Sequence, residues 1–139
     1  KWIAERTRNP LPGRVVWTVQ PFDTTVALQS YWLALPRRPE QMPLYLTAAL
    51  RDNALTLTAE VDAPDKKSRI PAAGGTVLVR LNDKLADPGK PLAITLNGKA
   101  LPPVTAERNL ATMARTMAER CDPNFLYSAE IAVPLAPAP

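Results

Sequence analysis

The 139-residue sequence contains one thiol, Cys121, thirteen carboxylates and no histidine. Without histidine the chain cannot by itself assemble a Ser-His-Asp or Cys-His site, nor a His-ligated metal centre. Cys121 is the natural nucleophile to consider. It falls at the C-terminal end of a helix expected over 105–120, where the macrodipole is negative, and Asp122 follows it. Both features disfavour the thiolate and Arg120 offsets them only in part, so the thiol reads as buried or inert. The carboxylates show no spacing that demands an acid–base pair. Asp62, Asp65, Asp83 and Asp87 fall in loops, and no D-x-[DN]-x-[DN]-G calcium loop is present. There is no Gly-rich phosphate loop. No catalytic residue, metal ligand or cofactor is assigned on these grounds.

Three tryptophans are many for this length. An exposed indole on a sandwich face can stack on a pyranose ring, which makes carbohydrate a partner to consider. Trp17 and Trp32, however, lie within strand-like segments beside apolar neighbours, where core packing is the default. Trp2 sits in a charged stretch and reads as an anchor onto an adjoining domain.

Charge is unevenly placed. The net charge is +4, and residues 1–38 carry six basic side chains (Lys1, Arg6, Arg8, Arg14, Arg37, Arg38) against Glu5 and Asp23, while the remainder is balanced. No Lys/Arg run interleaves with an aromatic platform, so a nucleic-acid surface is not assigned. The excess reads as an Arg-rich connector pairing with a neighbouring domain. No apolar run approaches the ~18–20 residues that a membrane helix needs, so no membrane partner is assigned. A single cysteine excludes an intrachain disulfide.

The elements that would position these residues are short. Sixteen prolines punctuate the chain and only five glycines occur, which favours strands and loops over long helices. Residues 1–13 read as a linker that closes with Pro10, Pro12 and Gly13. RVVWTV (14–19) and QSYWLAL (29–35) are β-rich. Leu44, Leu46, Ala48 and Leu50, then Leu55, Leu57, Ala59 and Val61, alternate with smaller or polar residues around Arg51-Asp52-Asn53. That pattern is a β-hairpin. Residues 62–75 hold five charges, two prolines and Gly74-Gly75 and read as a long mobile loop. Strands follow over 76–81 and 92–96. Asn97-Gly98 marks a tight turn, and Pro102-Pro103 blunts the strand that leaves it. Over 105–120, Thr105 would cap a helix, Glu107 would sit in its first turn, and Leu110, Met113 and Met117 would form its apolar stripe. Asp122-Pro123 ends it. A last strand spans 125–133, and the tail 137–139 frays. Seven or eight short strands at roughly 8–12-residue spacing with one late helix are the pattern of an all-β, antiparallel sandwich over 14–136.

Three segments, in order, resemble a region of known proteins. KWIAERTRNPLPGRVVW followed by YWLAL resembles the "W…R-P-P…V-W…YWL" passage just after the catalytic domain in bacterial α/β-hydrolase-type proteins, which are large secreted esterase- or peptidase-like enzymes. VLVRLNDKLADPGKPLAITLNGKAL is similar to their "LYLNDDMVDLDKPVTVTVNGK" segment, and AERCDPNFLYSAEIAV to "ERGDPGLTFPAEIEV". Asn82, Asp83, Lys90, Pro91, Asn97, Gly98, Asp122 and Pro123 are the matching positions, and their expected roles are turns and strand starts. Pro88-Gly89 and the long 62–75 segment depart from the family pattern. The resemblance implies an immunoglobulin-like C-terminal sandwich with no catalytic residue of its own, preceded by a hydrolase domain as its partner, in an extracellular or periplasmic protein. Lys1 in place of Met and the lack of an apolar h-region or A-x-A cleavage site fit the expectation of an excised or processed piece. Trp2, Arg6, Arg8, Pro10, Arg14 and Trp32 are then the candidate domain-interface residues. The alternative reading is a stand-alone carbohydrate- or surface-binding module using exposed Trp.

Overall fold

The structure is a computed structural model that describes residues 8–21 and 27–136. Among these, β1 (Arg14–Val19), β2 (Gln29–Ser30) and β3 (Leu33–Ala34) come first. The long hairpin β4 (Leu44–Arg51) and β5 (Ala54–Asp62) follows, then β6 (Arg69–Pro71) and β7 (Thr76–Leu81). A second hairpin, β8 (Pro91–Leu96) and β9 (Lys99–Thr105), precedes helix α1 (Leu110–Arg120), a 3-10 turn (Pro123–Phe125) and β10 (Ala129–Pro134). The strands form two sheets packed as a sandwich. One runs β1-β4-β5-β8-β9, with β6 on the far end of β5; the other runs β10-β7-β3-β2. The described helices include none long and apolar enough to cross a membrane.

Alternation builds the core. Leu44, Leu46, Ala48 and Leu50 of β4 are buried, as are Leu55, Leu57, Ala59 and Val61 of β5, while their neighbours face outward. Val77, Val79 and Leu81 of β7 and Ala129, Ile131 and Val133 of β10 meet them from the second sheet. Truncating one of these leucines to alanine would cost about 2–5 kcal/mol in lost transfer energy and cavity. At the tip of the first hairpin Asp52 (φ 49°) and Asn53 (φ 56°) are both left-handed. That conformation matches the twist of the flanking strands and is tolerated by Asx side chains. Asn97 (φ 47°) and Gly98 (φ 80°) repeat it in the second hairpin.

Several expectations need correction. The helix begins at Leu110 rather than Thr105, because Pro102 to Thr105 continue β9 along β8, with a bulge opposite Ala93. Asn109, not Thr105, is the cap; its side chain accepts the Ala111 N–H at 2.7 Å. Leu110 is 81% exposed, so it does not belong to an apolar stripe. Segment 29–35 is not one strand: it folds back on itself at Tyr31-Trp32, with Tyr31 at φ 53°. Part of the expected mobile loop is ordered as β6, and Arg69 there stacks 3.6 Å from the Tyr45 ring centroid. The last strand starts at Ala129, because 123–125 turn as a 3-10 helix. The sandwich is also not wholly antiparallel, since β5 and β8 pair in parallel. The chain reaches β8 only after crossing to the second sheet through β7, so no tight turn links the two strands.

Candidate functional site

The most densely built polar and aromatic cluster lies where the incoming chain meets the second sheet and α1. Residues 8–13 are seated on the sandwich. The Pro12 carbonyl accepts the Trp32 indole Nε1–H at 2.7 Å, the Gly13 carbonyl accepts the Leu50 N–H at 2.8 Å, and Leu11 packs against the core. Trp32 is completely buried, which explains the turn at Tyr31-Trp32: an indole with one polar handle goes inside when its N–H finds an acceptor. The Arg8 guanidinium lies 4.9 Å from the Tyr31 ring centroid and 5.9 Å from that of Phe125. Arg120 approaches the Phe125 ring to 4.4 Å. Contacts of this kind contribute about 0.5–1 kcal/mol each where solvent reaches them.

Gln29 joins this cluster to a network of ion pairs under α1. Its Oε1 accepts from Arg120 Nε at 3.1 Å and from Arg80 Nη1 at 3.0 Å. Arg80 projects from the outer face of β7, yet its side chain is only 5% exposed because α1 covers it. Nη1 pairs with Glu119 Oε2 at 2.7 Å and Nε with Glu130 Oε2 at 3.1 Å. Arg115 closes the square, reaching Glu130 at 3.1 Å and Glu119 at 3.5 Å. A guanidinium suits this place because its donor fork can serve three acceptors at once, which an ammonium cannot do in a plane. The sole buried side chain of α1 is Thr116. Its hydroxyl donates to the Thr112 carbonyl at 2.9 Å and accepts the Tyr127 N–H at 3.2 Å. The helix is thus held to the sheet mainly by charge and hydrogen bonds, with Met113 and Met117 half-buried beside them.

Burial lowers the Arg120 guanidinium below its ordinary value, and the neighbouring Arg80 and Arg8 cations add to that. It still stays protonated near neutrality. Burial pushes the Tyr127 phenol up to about 12, against the pull of Arg120 and Arg80. Its hydroxyl and that of Ser128 are buried without a hydrogen-bond partner among the described residues.

The expected interface residues fare differently. Trp2 and Arg6 lie outside the described residues. Arg8 joins the aromatic cluster and Pro10 is half-buried. Arg14 is exposed at the start of β1. Trp32 is a correction: with no exposed surface it cannot contact another domain, and it acts instead as the internal anchor for Pro12. Trp17 is half-buried. It packs against the core from β1.

The motif positions are turns and clamps. Asn82 Oδ1 accepts the Lys84 and Leu85 N–H groups while its Nδ2 donates to the Leu126 carbonyl at 3.1 Å. Asp83 pairs with Arg108 at 2.7 Å, which holds the Arg108 guanidinium above its usual value. Lys90 reaches Asp87 at 3.1 Å, and that contact, with the Gly89 N–H, lowers the Asp87 carboxyl. Pro91 opens β8, and Asp122 caps the 3-10 turn with Pro123 at its first position. Asn97 also bridges strands: its Oδ1 accepts the Ala59 N–H at 2.9 Å and its Nδ2 donates to the Ala59 carbonyl at 3.3 Å. Asn53 does the same for the 82–90 connection, accepting from Asp87 N–H at 2.8 Å and donating to the Asp87 carbonyl at 2.9 Å.

Cys121 is exposed rather than buried, and sits at φ 51° as the C-cap of α1. No three acidic or thiol side chains among the described residues come together as a metal site would require. Sequence reasoning missed Arg80, Gln29, Glu119 and Glu130. Two signals pointed there: the outward parity of Arg80 in β7, and the Arg115/Glu119 spacing of four on the helix. No protein-family model, curated protein or solved structure matches the chain.

Proposed function

We propose that this chain is a non-catalytic accessory β-sandwich domain of a larger bacterial α/β-hydrolase-type enzyme, extracellular or periplasmic, packing on the catalytic domain and shaping its cleft. The observation that carries this reading is the seat of residues 8–13. A free linker would leave its carbonyls in water, whereas here Pro12 and Gly13 are bonded to Trp32 and Leu50 and Arg8 stacks on Tyr31. A chain fixed in this way transmits orientation to whatever precedes it. Around the buried Arg80 the face beside the seat carries Arg8, Arg115 and Arg120 against Glu119 and Glu130, an excess of one cation that suits an acidic partner surface. The sequence resemblance supplies the identity of that partner. The principal polar cluster saturates itself in ion pairs, as a structural clamp does.

Two experiments test this. The reading frame upstream of the Lys1 codon should continue into a domain with a G-x-S-x-G nucleophile elbow; a start codon and leader alone would contradict the proposal. The purified chain should show no turnover of p-nitrophenyl esters or peptide substrates, and measurable turnover would overturn its non-catalytic part.

A further inference from the structure

At the end of the sandwich remote from Gly13 the two sheets part. Gly13 bonds at Leu50, the last core residue of β4, whereas the opening lies at Leu44, where that strand begins. The space there is about 250 Å³. That is well above what one or two waters need and just below the ~300–1,000 Å³ of sites for drug-sized ligands. Its floor is apolar and comes from both sheets: Leu35, Leu44, Ala72 and Leu135. Its rim is the 36–43 loop on one side and the Ala72–Thr76 backbone on the other.

The rim is cationic. Arg37 and Arg38 line it against one carboxylate, Glu40, and the Arg37–Glu40 contact is long at 3.4 Å with both side chains in solvent. Arg38 donates to the Pro21 carbonyl at 3.1 Å through Nη2, its one hydrogen bond among the described residues. The two sides of the rim are tied together. Gln41 Oε1 accepts the Ala73 N–H at 3.2 Å across the two loops, Leu135 N–H bonds the Gly75 carbonyl at 3.0 Å, and Pro36 and Pro39 stiffen the arginine loop. Gly75 takes φ 99°, a conformation that other residues rarely adopt. A preformed apolar pocket with two guanidiniums at its mouth fits a molecule with an apolar body and an anionic head.

We propose that this cleft is a binding site for a small organic acid: a single carboxylate, met by Arg37 and Arg38, on a short apolar body that rests on Leu35, Leu44 and Leu135. The site is independent of the junction and of the partner proposed above.

The test is a titration of the whole chain, followed by amide chemical shifts, with sodium hexanoate, hexan-1-ol and acetate as probes. Hexanoate should give saturable shifts at Gly74, Gly75 and Leu135. Hexan-1-ol lacks the charge and acetate lacks the body, so each should bind about fivefold or more weakly, the scale of one partly exposed charge contact or a few methylenes. Gly74 lines the cleft and a Cβ there meets nothing within 4 Å, so Gly74→Leu should fold normally and weaken the response. Arg37→Ala/Arg38→Ala should reduce hexanoate affinity to that of hexan-1-ol. The comparison of the three probes on the wild-type chain stands even where a variant fails to fold. The proposal is overturned by the absence of saturable hexanoate shifts, by equal responses to hexanoate and hexan-1-ol, or by shifts centred on Arg115 and Arg120 instead.

Discussion

Replacing Arg80 with methionine isolates the clamp that holds α1 to the second sheet. Methionine keeps the length of the stem but removes the fork that serves Glu119, Glu130 and Gln29. Removing one member of a fully buried ion pair costs about 3–5 kcal/mol, because the partner charge is left unpaired in a poor solvent. Here the cost is smaller. The Glu119 and Glu130 side chains are 30% and 17% exposed, and Arg115 still reaches both. Discounting for that solvent and that second cation leaves about 2–3 kcal/mol. For a domain of this size such a loss lowers Tm by roughly 4–12 °C. Urea unfolding followed by tryptophan fluorescence measures it, since Trp32 is buried in the folded state and exposed in the unfolded one. The triple variant Arg80→Met/Glu119→Gln/Glu130→Gln should recover much of the loss, because it leaves no carboxylate unpaired beneath α1 and the Arg115 cation it frees is 44% exposed to solvent. A single-variant loss below about 0.5 kcal/mol would refute the reasoning, since that is the value of an exposed pair. So would a triple variant as unstable as the sum of its parts.

Burial pushes the Tyr127 phenol up from 10.0 to about 12, so folding favours the protonated form. Its contribution is intact below pH 10 and is lost as pH rises to 12, with a slope of up to about 1.4 kcal/mol per pH unit. Tyr127→Phe should therefore flatten the alkaline limb of the stability profile and be at least as stable as wild type at pH 7, because it also removes a buried hydroxyl without a partner; identical alkaline slopes would contradict this. Cys121→Gly should raise stability by about 0.5–1 kcal/mol, because the C-cap sits at φ 51° where glycine is unstrained, as thermal unfolding will show. Asn53→Ala should cost about 2–3 kcal/mol in urea unfolding, from the lost left-handed tolerance and the two bonds to Asp87.

The hairpins were legible because two signals agreed there. In β4–β5 and β8–β9 alternating leucines coincide with Asp-Asn or Asn-Gly turns, and neither signal depends on distant parts of the chain. The 29–35 segment was not legible. It contains no Gly, Pro, Asn or Asp, and Tyr31 enters the left-handed region where Trp32 gains a buried site and a bond to Pro12 twenty residues earlier. The start of α1 was misplaced for a similar reason: Thr105 and Asn109 are both good caps, and the pairing of Thr105 with Pro91 decides between them. The clamp was the hardest to read. A lone arginine in a strand reads as solvated, and Arg80 is buried only once α1 packs over the outward face of β7. Its partners are 39 and 50 residues away in sequence.

Backbone 15N relaxation of the sandwich within the polypeptide that carries it tests most directly whether it packs on a neighbouring domain. Amides in the core strands, such as those of Val79 and Leu46, should relax with the correlation time of the whole molecule, and the Leu50 amide bonded to Gly13 should be as rigid as they are. A correlation time matching an independently tumbling 15.2 kDa body would contradict the packed accessory domain.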